Sequence, residues 1–122
     1  MTATGKDQCL QLRSEFPFAK DVSVVLASPL QRTIQTAAWT FGPELEKRQL
    51  PVILVPNAQE ISGFQCDFGW DEAYVKSKSP ELISEAAPGF DDRNLDTSLV
   101  DKSWNSKVDI CAYTLPCILQ DL

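Results

Sequence analysis

The sequence predicts an α/β domain with a largely parallel sheet, and three observations predict it. The β-branched run "VSVVLA" at residues 22–27 stops at Ser28-Pro29. A helical pattern follows at once, and a second apolar run, "PVILVP", occupies residues 51–56. Strand, helix and strand joined by short connections form the βαβ unit from which parallel sheets are built. At 122 residues the chain is the size of one domain.

Each element has a local cause. "TATGKDQCLQLRSEF" reads as a helix capped by Thr2 or Thr4, with Cys9, Leu12 and Phe16 on one face and Pro17 forcing a stop after Phe16. The continuous apolar run at 22–27 predicts a strand covered on both faces. Ser28 is expected to cap the next helix, with Pro29 in its first turn, where no amide hydrogen is needed. Leu30, Ile34, Ala37 or Ala38 and Phe41 recur at helical spacing, and Gly42 supplies a stop. A short charged helix, "PELEKRQ", then leads into the second strand. Residues 57–71 read as a loop, and "SPELISEAAPG" as a helix capped by Ser79 and started by Pro80. Residues 90–122 are a poorly patterned tail of the single domain 1–122.

Composition excludes several classes. The hydrophobic content of 43% is that of a globular protein rather than a disordered one. The net charge of -6 opposes broad binding to nucleic acid or anionic membranes, while leaving room for a local basic pocket. Between residues 81 and 101, Glu81, Glu85, Asp91, Asp92, Asp96 and Asp101 face only Arg93, as a solvated surface segment would. No apolar run approaches the roughly 20 residues of a membrane span, and no signal-peptide layout opens the chain. The expected setting is therefore cytoplasmic. Four scattered cysteines, Cys9, Cys66, Cys111 and Cys117, are expected as thiols rather than a disulfide framework, and without histidine they make no zinc site. No cofactor is expected.

The chemistry gathers where strands end. In parallel sheets ligands bind at the carboxyl edge, and a helix N-terminus there offers free amides and a positive dipole end. Arg32 falls in the first turn after the first strand, and Glu60 falls a few residues past the second. Singly, each also fits a solvated surface position. Together at one sheet edge they pair a cation for an anionic ligand with a carboxyl group.

"TATGKDQ", "ASPLQRTIQTA" and "VPNAQEISGFQCDFG", in this order and spacing, resemble the histidine phosphatase superfamily, the phosphoglycerate mutase-like proteins. A later "SWNSKVDICAY" adds a weaker likeness, so that the resemblance runs over roughly residues 2–113. It implies a three-layer sandwich with a mostly parallel sheet, and phosphomonoester hydrolysis or phosphoryl transfer. By the same resemblance Arg32 clamps the phosphate, Glu60 is the general acid toward the leaving oxygen, and Ser28 assists weakly. Phe64, Cys66 and Asp67 are pocket candidates. Phe68 and Trp70, like Phe64, fit either the pocket mouth or the core beneath the loop. The implied partner is a small phosphorylated molecule or free phosphate.

The sequence also departs from that family. Its nucleophile is the histidine of an Arg-His-Gly motif on a first central strand, and a second histidine follows on a late strand. These 122 residues contain no histidine. The expectation is an incomplete member of the fold, inactive by itself, with an exposed sheet edge open to self-association. The alternatives are a non-catalytic anion-binding or protein-interaction module, or a truncated gene product.

Overall fold

The computed structural model describes residues 1–58 and 71–101. In order they form α1 (Ala3–Glu15), β1 (Val25–Ala27), α2 (Gln31–Arg48), β2 (Val52–Leu54), α3 (Glu72–Ser84) and β3 (Leu95–Asp96), with short 3-10 turns at Ala19–Asp21, Pro56–Ala58 and Asp92–Asn94. The sheet runs β1-β2-β3 and both pairings are parallel, with Val25 opposite Val52 and Val52 opposite Leu95. The expected α/β class with a parallel sheet is what forms.

The core lies between one sheet face and the helices. Val25, Ala27, Val52 and Leu54 point into a cluster completed by Ile34, Ala38 and Leu45 of α2 and by Val75, Leu82 and Ile83 of α3. The predicted stripe on α2 is therefore its buried face. The strand residue between, Leu26, is 61% exposed, and Val24 is 40% exposed. Among the described residues β1 is thus covered on one face, not on both as its apolar run suggested. On α1 only Cys9 is buried, as a free thiol, while Leu12 lies exposed.

The largest departure from the sequence reading is at α2. Gly42 does not stop it. The helix runs unbroken for 18 residues with Pro43 inside. A proline there removes the amide that would bond the carbonyl four residues back, that of Trp39. Arg13 of α1 replaces the missing donor, for its Nη2 donates to the Trp39 oxygen. Gly42 makes the approach possible: a Cβ there would sit 2.8 Å from Arg13 Nη2 and 2.7 Å from the Ala86 carbonyl oxygen. Burial holds the Arg13 guanidinium pKa below its ordinary value, with Cys9 and Glu46 opposing that shift.

The real end of α2 is Gln49, left-handed at φ 50° and ψ 47°. For a residue with a Cβ that conformation costs roughly 1–2 kcal/mol. The Gln49 side chain offsets it. Its Nε2 donates to the carbonyls of Glu46 and Gly89, both at 2.9 Å, and its Oε1 accepts from the Asp91 amide at 2.9 Å and from Asn94 Nδ2 at 3.1 Å. Glu46 Oε1 accepts the Gly89 amide at 2.9 Å. This network delivers the chain to β3. A short strand, Leu95–Asp96, thus lies in the poorly patterned segment after residue 90, where no apolar alternation announces it.

The third helix is also longer than predicted. Asp71 caps it, accepting from the Tyr74 amide at 2.9 Å, and the helix is already under way when it reaches Ser79 and Pro80. Ser79 is wholly buried and donates to the Val75 carbonyl at 2.5 Å. Its hydroxyl is thus spent inside the helix rather than at its start. The acidic segment is solvated as expected, with Glu81, Glu85, Asp92, Asp96 and Asp101 all exposed.

Gly42→Ala is expected to destabilise the fold by several kcal/mol, because backbone as well as side chain blocks the added methyl; urea unfolding measures it. A second expectation concerns Asp91, whose carboxylate the Arg93 side chain and amide hold at a pKa of about 2, against an ordinary 3.8. The folded value is the lower one, so this pair supports the fold above about pH 4 and its contribution disappears as pH falls through about 2. In Arg93→Ala the Asp91 carboxyl resonance is expected to titrate near its ordinary value.

Candidate functional site at the carboxyl edge of the sheet

The parallel register fixes the geometry of this edge. Ala27 lies opposite Leu54, and the Val55 amide donates to the Ala27 carbonyl at 2.7 Å. Residues 28–32 and 55–58 therefore leave the sheet side by side. Arg32 occupies the first turn of α2, half-buried, and Ser28 sits 4% exposed just after β1.

Ser28 does not cap the helix. The N-cap is Leu30, with φ -82° and ψ 142°, and its side chain makes no capping hydrogen bond. Pro29 accordingly precedes the helix instead of starting it. The reason is a local hydroxyl pair. Ser28 Oγ lies 2.8 Å from Thr33 Oγ1, which is 2.7 Å from the Ser28 carbonyl and 2.8 Å from the Leu30 carbonyl. Thr33 has one hydrogen, so when it donates to a carbonyl the Ser28 hydroxyl donates to Thr33. Ser28 then has only lone pairs to offer the edge, which suits it poorly for an anion. The first amides of α2, by contrast, receive no cap from the N-cap side chain, Leu30, and a helix start carries the positive end of the dipole. Arg32 and the first amides of α2 thus belong to one turn, directly after the end of β1.

The N-terminal turn of α1 is held by its own cap. Thr2 accepts the Gly5 amide at 3.0 Å. A Cβ on Gly5 would stand 3.2 Å from Thr2 Oγ1. The "TATG" segment thus has a complete structural explanation, a cap and the close turn beneath it. The α-amine of Met1 donates to Gln35 Oε1 at 3.1 Å, and Lys6 Nζ stands 3.9 Å from the Trp39 ring centroid. These contacts lay α1 along α2. Sequence reading missed Thr33 and Gln35, although both belong to the same "SPLQRTIQTA" run that carries Arg32.

Glu60 comes two residues after Ala58 in the chain, outside the described residues, as do Phe64, Cys66, Asp67, Phe68, Trp70, Cys111 and Cys117. Among the described residues, no cluster of three or more His, Cys, Asp or Glu is placed to hold a metal ion. No described helix is long and apolar enough to cross a membrane.

Residues 1–96 match the histidine phosphatase superfamily (branch 1), and the chain belongs to that family. Its members act on phosphorylated substrates. A protein of Schizosaccharomyces pombe (strain 972) named as a probable phosphatase is 27% identical over 88 residues, which cover 71% of this chain and 37% of the relative. The chain therefore spans little more than a third of that relative's length. No solved structure matches the sequence.

Thr33→Val would remove the hydroxyl that organises residues 28–30 while preserving side-chain shape. We expect a loss of about 1–3 kcal/mol from unpairing Ser28 and the carbonyls, read by urea unfolding. Faster hydrogen exchange at the Gln31 and Arg32 amides should accompany it.

Proposed function

We propose that the carboxyl edge described above binds the phosphate of a small phosphomonoester, with Arg32 as the clamp and the first amides of α2 as further donors. The single observation that carries this reading is the in-register parallel pair β1-β2, which brings the Arg32 turn and the segment leading to Glu60 out at one edge. A planar guanidinium matches two phosphate oxygens at once. Ser28 is at most a lesser contributor.

Glu60 is assigned the general-acid role by resemblance. Donating to a leaving oxygen requires its carboxyl group to be protonated, and a neighbouring phosphate dianion favours that form. Phe64, Cys66 and Asp67 are the proposed lining that meets the leaving group. The matching relative's description as a phosphatase supports the reaction class.

These 122 residues cannot form a phosphohistidine, because they contain no imidazole. Removing a covalent nucleophile costs on the order of 10⁴ to 10⁶ in rate in other enzymes. The proposed activity of this stretch is therefore binding of the phosphorylated group, with turnover requiring histidines beyond it.

Phosphate at about ten times its dissociation constant should stabilise the chain by about 1.4 kcal/mol, raising the melting temperature, and Arg32→Ala should abolish the rise. Hydrolysis of an aryl phosphate should stay at background in both. A rate that appears in the original chain and vanishes in Arg32→Ala would overturn the binding-only reading. Equal phosphate stabilisation in both proteins would remove Arg32 from the site.

A further inference from the structure

We draw no further inference here: the strongest candidate, the apolar surface patch that Val24 and Leu26 present on the open face of β1, is an unpartnered sheet face, and nothing in the structure shows what covers it.

Discussion

One substitution of hydrogen-bond donors underlies the architecture. Pro43 cannot bond the Trp39 carbonyl, and Arg13, from another helix, does so in its place. An unpaired enclosed carbonyl costs about 1–3 kcal/mol, and a helix broken there would lose its far half. Because the contact holds, α2 reaches from the sheet edge at Gln31 to the polar knot at Gln49 as one rod. That rod sets the position of everything else: α1 lies along it, α3 packs against it, and β2 begins just after it ends.

The two ends of α2 do different work. At the first, the helix start and Arg32 follow directly on the carboxyl ends of parallel strands. At the second, Gln49 spends all of its side-chain amide on the loop that returns to the sheet. Membership of the histidine phosphatase superfamily fits the first end. The second end supplies β3, and with it the third strand that steadies β2. The exposed Leu26 on the open face of β1 is the price of a sheet whose described helices stand on one side.

How much of this was legible beforehand depended on the range of the interaction. Thr2 as a cap, the α1 stop before Pro17, the Ile34–Ala38 stripe and the parallel strands were readable because each follows from residues within one or two turns. Arg32 at the sheet edge was readable for the same reason, being fixed by the short link from β1. Other signals pointed the wrong way. Gly42-Pro43 looked like punctuation, Ser79-Pro80 like a helix start, and Ser28 like a cap. In each case a partner overrode the local preference: Arg13 at the first, the buried Val75 carbonyl at the second, and Thr33 at the third.

By itself the sequence determined the α/β class, the parallel order of its first two strands and the presence of a cation where the first strand becomes a helix. These are consequences of side-chain period, proline geometry and short connections, all confined to neighbouring residues. Only the tertiary structure decided that α2 is continuous, that Leu95 and Asp96 join the sheet, and that Arg13 supplies the donor Pro43 lacks. Those outcomes rest on contacts between residues tens of positions apart, whose donors and acceptors cannot be matched until the chain has folded.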